Sequence, residues 1–209
     1  MLGAVLSVAM QQPLATIINK LIIEPLNMQH TGFTLSDNHQ LVTHYYDASP
    51  EPLPMPSPYL MQLGASWNNG ILSYDPKRIF NPHAYHSAGG GMVGNAPDFM
   101  QFLLALTTIN NQISKQKLID KMAKCYISSD FSTQGPGWGF GYGGAVLDNP
   151  NIAQSPQGKG TIEWGGVYGH NWFYDPQHEL GVIIFTNTAI EGMSGLYPMK
   201  IKEAVYRCL

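Results

Sequence analysis

Ser114 and Lys117 are spaced so that a lysine one helical turn away can take the proton of a nucleophilic serine. Their surroundings point elsewhere: Ser114 follows Asn110-Asn111 and opens a segment carrying Lys115, Lys117, Lys121 and Lys124, which reads as a cap on a polar, solvated helix. Ser36-Asp37-Asn38 is three turn-forming residues in a row and reads as a turn. Gly139-Phe140-Gly141-Tyr142-Gly143-Gly144 satisfies a phosphate-loop pattern, which needs a strand before it and a helix after it. Here the glycines alternate with Trp138, Phe140 and Tyr142, so they belong to a strand. His83 and His86 have a ligand-like spacing but no carboxylate or cysteine close in sequence, and read as an ordinary surface or core pair. Glu163 and Asp175 show no spacing that favours an acid and base pair over common polar roles. The remaining candidate is Glu163-Trp164-Gly165-Gly166-Val167-Tyr168-Gly169-His170. Small residues on a strand leave the backbone open, so an N–H there can face a ligand oxygen; by itself the segment is equally a Gly-rich structural hairpin.

The elements that must hold that segment follow from periodicity. Leu2, Leu6 and Met10 repeat every four residues, and Ile17, Ile18, Leu21 and Ile22 form a second stripe after Pro13, so two helices open the chain. The first is expected to be a buried helix, since no Lys or Arg precedes it as in a signal peptide. The second must stop near Glu24, before Pro25, with Asn27 in a turn at positive φ. Prolines at 50, 52, 54, 56 and 58 make residues 47–58 an extended surface loop. Asn95 caps a helix with Asp98 in its first turn and Phe99, Phe102, Leu103 and Leu106 on its buried face. Strands are expected from Trp138 and over 160–164, 171–174 and 180–186, the last apolar on both faces and therefore central. Tyr197, Ile201, Ala204, Val205 and Cys208 share a helical face able to cover the sheet. The expected fold class is α+β: a helical region with long loops over 1–134, then an antiparallel sheet and closing helix over 135–209.

Composition narrows the function classes. The 209 residues, 44% hydrophobic and 12% charged, suit one globular domain. A formal charge of −3 with no basic run argues against nucleic acid, and no apolar run is long enough to span a bilayer. Cys125 and Cys208 make neither a disulfide framework nor a zinc spacing, so no metal or other cofactor is implied.

Taken in order, several segments resemble one family. Leu2-Gly3-Ala4-Val5 to Gln12-Pro13-Leu14, and Glu24-Pro25-Leu26-Asn27-Met28 with Thr31-Gly32-Phe33, resemble the helical region of class C β-lactamase-like, penicillin-binding-protein-like and esterase serine hydrolases, with Asn27 where that pattern usually has Gly. Ala88-Gly89-Gly90-Gly91-Met92 with Asp98-Phe99, and Gly137-Trp138-Gly139-Phe140-Gly141-Tyr142, resemble its S-G-G-G-L…D-Y and G-W-G-F-G segments. Trp164-Gly165-Gly166, followed by Asp175-Pro176 and Leu180-Gly181-Val182, resembles the W-G-G form of the third active-site motif in the esterase branch.

The resemblance implies a β-lactamase/transpeptidase-like fold and acyl-transfer chemistry on a small ester, amide or β-lactam-type ligand. It implies Val167 N–H as an oxyanion donor, with Trp164, Gly165, Gly166, Tyr168 and Trp172 as binding residues. Trp164 stands where Lys or His is commoner, which favours an esterase-like or peptidase-like parent. The family's Ser-x-x-Lys and Tyr-x-Asn motifs fall before the segment matching Leu2, so the expectation is a C-terminal portion inactive alone. A truncated reading frame, an internal start or a cloning boundary would each account for it. Family members are often exported, and any signal would lie in that earlier part. The alternative expectation is a non-catalytic binding or assembly module using Trp164, Tyr168 and Trp172. In the family, strands preceding the helical region pair beside the last strand; without them, 181–186 would be an open edge, and the chain would self-associate or require the missing fragment.

Overall fold

The structure, a computed structural model, describes residues 1–36, 41–65, 68–131 and 134–209. Helix α1 (Leu2–Met10) ends on Gln11, whose left-handed backbone (φ 51°) lets its N–H close on the Ser7 and Val8 carbonyls. The expectation of a buried helix is corrected: only Gly3 is buried, while Leu2, Val5 and Val8 face outward. Gly3 makes the contact because it is small; a Cβ there would lie 3.0 Å from Leu14 and 3.1 Å from Ala88.

Helix α2 (Leu14–Ile18) starts after Pro13 and continues through Asn19–Ile23 as a wider π-helical turn. It ends at Glu24, ahead of Pro25, and Asn27 takes φ 53°, both as expected. The proline-rich stretch is extended, with one short antiparallel contact between β1 (Tyr45–Tyr46) and β2 (Leu53–Pro54). A second pair, β3 (Tyr59–Gln62) with β4 (Ile71–Tyr74), ends on the buried Tyr74.

The Asn95 side chain accepts from the Asp98 N–H at 2.8 Å and opens α3 (Ala96–Thr107). Asp98 does more than favour the helix N-terminus: its carboxylate accepts from His30 N–H and Thr31 Oγ1, both at 2.8 Å, fastening α3 to the turn after α2. Leu103 and Leu106 are buried as expected, together with Ala105, whereas Phe99 and Phe102 are half-buried. The cap assigned to Ser114 is a correction. Its hydroxyl accepts from Gln116 N–H within a turn, and the short helix α4 (Ile119–Met122) begins only after Leu118. Asp37 and Asn38 of the expected Ser36 turn lie outside the described residues.

The second half alternates strands and short helices: β5 (Trp138–Phe140), β6 (Ala145–Leu147), α5 (Pro150–Ala153), β7 (Ile162–Gly166), β8 (His170–Asp175), β9 (Leu180–Phe185), α6 (Glu191–Ser194) and α7 (Leu196–Tyr206). The strands form one antiparallel sheet in the order β5-β6-β7-β8-β9. The fold is thus α+β. The glycine face of β5 allows close approach, since a Cβ on Gly139 would collide with Cys125 Sγ and the Ile127 carbonyl.

One sheet face carries Ile162 and Tyr174, which join Leu103, Leu106 and Ile119 in a core cluster under α3. The other carries Glu163 and Phe173 and meets α7, where Phe173 and Tyr206 stack at 6.1 Å. Two expectations fail here. Strand β9 is not central; among the described residues it pairs only with β8, its apolarity being spent on α3, where Phe185 lies 5.7 Å from Phe99. The covering face of α7 is also displaced, since Tyr197, Ala204 and Cys208 are exposed and Pro198, Ile201, Lys202, Val205 and Tyr206 turn inward. Polar tips decide that rotation. Lys202 reaches Glu163, and Tyr206 donates to Asp175 at 2.5 Å.

Candidate functional site

Strand β7 pairs with β8 along its whole length but with β6 only through Ile162 and Glu163. From Trp164 onward its β6 side has no strand partner among the described residues and forms an open edge. Gly165 has to be small, because a Cβ there would lie 2.6 Å from Met193 Cγ and 2.7 Å from the His170 carbonyl. Helix α6 therefore backs this strand directly. Trp164 is 40% exposed, with the edge of one ring presented to the face of the other at 5.2 Å from Phe140. Trp172 lies opposite Trp164 in register, and its ring packs toward Phe99 at 5.4 Å.

The β7–β8 connection is a tight turn in which Gly169 N–H donates to the Gly166 carbonyl at 2.9 Å, with Gly169 at φ 107°. Gly166 C=O and Val167 N–H belong to one trans peptide plane and point in opposite directions. With the carbonyl turned into the hairpin, the Val167 N–H is directed outward, to the open edge. Val167 is 36% exposed. The next carbonyl, Val167 C=O, accepts from Tyr74 Oη at 3.2 Å and from Ile190 N–H at 3.3 Å.

Tyr168 links the turn to the first half of the chain. Its hydroxyl accepts from Asp75 N–H at 3.0 Å, and its ring meets Tyr74 at 5.0 Å and His44 at 4.9 Å, both edge to face. Burial pushes the Tyr74 hydroxyl up to about 12, so it stays protonated and donating. His170 sits against Phe185 at 5.0 Å on the same face as Gly166, where burial and then neighbouring His44 hold its pKa below the ordinary value. Burial lowers that of His44 too, so both imidazoles favour the neutral form.

Glu163 and Asp175 fall into separate structural networks. Glu163 accepts from Lys202 at 2.7 and 2.8 Å and from Gln157 at 3.1 Å. Asp175 accepts from Gly158 N–H, Gln177 N–H, His178 and Tyr206. His86 stacks on Phe33 at 4.8 Å, His83 is exposed, and among the described residues no three His, Cys, Asp or Glu side chains cluster as metal ligands. His170 closes the segment that the sequence singled out, whereas Tyr74, His44 and Ile190, which flank the turn, were not among its candidates. Tyr74 and Ile190 approach Val167 through long-range packing, for which no local motif exists.

Comparison with known proteins gives a consistent picture. The family model described as Beta-lactamase matches residues 1–202. Esterase EstB of Burkholderia gladioli is 40% identical over 205 residues, covering 98% of this chain and 52% of its own length. The solved structure of EstCE1, a hydrolase with promiscuous acyltransferase activity, superposes with a TM-score of 0.92 at 43% identity, covering 98% of this chain and 54% of that one. A simvastatin synthase of Aspergillus terreus shares the fold at a TM-score of 0.72 and 14% identity, covering 98% and 52%. The chain spans about half the length of the curated relatives it matches. No described helix is long and apolar enough to cross a membrane alone; Leu2–Met10 and Leu14–Ile23 would meet that measure only jointly, across a 79° bend.

Proposed function

The chain belongs to the Beta-lactamase family, and from that membership we propose that it supplies one wall of a serine acyl-transfer site for small ester or amide substrates. The observation that carries this reading is the Val167 N–H, aimed at the open edge of β7 by a peptide plane whose carbonyl is held by Gly169. In acyl transfer the serine oxygen bonds to the substrate carbonyl carbon and the carbonyl oxygen becomes an anion. A donor already in place stabilises that anion without reorganising. The leaving alcohol or amine then departs with a proton as the acyl-enzyme forms. Gly165 and Gly166 line the approach, and Trp164 offers an apolar surface where a cation would otherwise attract a carboxylate. The neutral edge suits the ester chemistry for which the relatives EstB and EstCE1 are named better than recognition of an anionic substrate. The nucleophile is assigned to residues beyond this span, since Ser114 is engaged in a turn with Gln116.

A second reading, a binding module without catalysis, is favoured by the exposure of Trp164 beside Phe140. Intact-mass analysis with a fluorophosphonate probe separates the two. The 209-residue chain alone should take no adduct. Joined to the half of EstCE1 that it does not match, it should allow stoichiometric labelling of a serine in that half. Val167→Pro should abolish that labelling, because proline fits the second position of a turn but removes the N–H. Undiminished labelling in a folded Val167→Pro chimaera would remove the oxyanion assignment. A Ser114 adduct lost in Ser114→Ala would place the nucleophile inside the chain.

A further inference from the structure

Ile190 has φ 62° and ψ −56°, and Glu191 N–H donates to the Ala189 carbonyl at 2.7 Å. These are the marks of a classic γ-turn, a strained conformation that a β-branched residue adopts only when its surroundings enforce it. The enforcement is visible on both sides. Ala189, fully buried, donates to the Tyr45 carbonyl at 2.9 Å, Tyr45 donates back to the Asn187 carbonyl at 2.8 Å, and Ser194 N–H caps the Ile190 carbonyl at 2.9 Å. The turn leaves one group free to act outward, the Ile190 N–H, which meets the Val167 carbonyl.

We infer that Tyr74 and Ile190 are positioning residues, a two-donor clamp on the Val167 carbonyl that fixes the direction of the proposed oxyanion donor. This deepens the proposed function and rests on it. The argument is geometric. The Gly166–Val167 peptide, which owns the donor N–H, is set by Gly169 at its carbonyl. The following Val167–Tyr168 peptide is set by Tyr74 and Ile190 at its own carbonyl. With both planes held, Val167 has no free backbone rotation left, and its N–H cannot swing away as charge develops. The donors come from segments far apart in sequence, the end of β4 and the start of α6, so the clamp also ties donor direction to β4 and, through the Tyr45–Asn187–Ala189 bonds, to β1.

Tyr74→Phe tests this because it deletes one donor hydroxyl and keeps the ring that packs on Tyr168. In the 209-residue chain, amide hydrogen exchange at Gly169, whose N–H closes the turn, should quicken about tenfold, the scale of one lost hydrogen bond, while α3 amides keep their rates. In the chimaera with the unmatched EstCE1 half, Tyr74→Phe should lower kcat about tenfold at constant KM, a loss confined to the transition state. Unchanged exchange at Gly169 in Tyr74→Phe would overturn the clamp whatever the chimaera does. An active chimaera that loses labelling in Val167→Pro but shows wild-type kcat in Tyr74→Phe would overturn the clamp and leave the proposed function standing.

Discussion

Asp175 has no exposed side-chain surface and is charged, which makes it the most demanding polar residue of the sheet. Burial alone would raise its carboxyl, but donors from Tyr206, Gly158, His178 and Gln177 outweigh burial and leave the pKa below its ordinary 3.8. The unfolded chain therefore takes up the proton first as acid is added. Stability from this group is complete above the unfolded value and is lost as pH falls through the folded one. Urea unfolding midpoints should drop in the wild type as the pH is taken below the ordinary carboxyl value of 3.8. Asp175→Asn should start lower at neutral pH and show a shallower fall; equal slopes would mean other carboxylates dominate. At this scale the sequence was only partly legible. Asn95, Pro13, Pro25 and Asn27 act through their own backbone geometry and could be read directly. Asp175 and Glu163 take their meaning from Tyr206 and Lys202 of α7, 31 and 39 residues away, and nothing near them in sequence announces it.

Among elements, legibility followed periodicity and failed where packing overrode it. Strand β5 was readable because glycines alternate with aromatics, while the three-residue β6, buried at every position, offers no alternation to detect. Helix α7 was found, but its inward face was misjudged, because Lys202 and Tyr206 bury their stems to reach carboxylates. Strand β9 looked central since both its faces are apolar, yet one covers α3 and its outer backbone edge pairs with nothing among the described residues. Leu180–Phe185 carries no charge and no proline to guard that edge. The chain should self-associate through β9 or capture a complementary strand, and sedimentation velocity across a dilution series should show a concentration-dependent shift. Val182→Lys should shift the distribution to monomer. A wild-type chain that stays monomeric at every concentration would show the edge to be protected.

At the level of the whole molecule, the α+β class and the order of its parts were legible because helix-period segments precede strand-period ones. What no local pattern could supply was the convergence of 43–46, 74–75 and 187–190 on the β7–β8 turn. That convergence has a kinetic consequence. The Tyr45–Asn187–Ala189 bonds close a loop of about 140 residues, and loop-closure entropy is lost before such contacts reward it. The β7–β8 and β8–β9 hairpins, built from neighbouring residues, have no such delay. During refolding, pulsed hydrogen exchange should show Ile184 protected before Ala189, and protection of both in a single early phase would contradict this order. The sheet would then mature in two stages, a local scaffold first and its seam with the amino-terminal half afterwards. On that schedule Val167 acquires its final orientation late, and the same seam would be the earliest to loosen when the protein is heated.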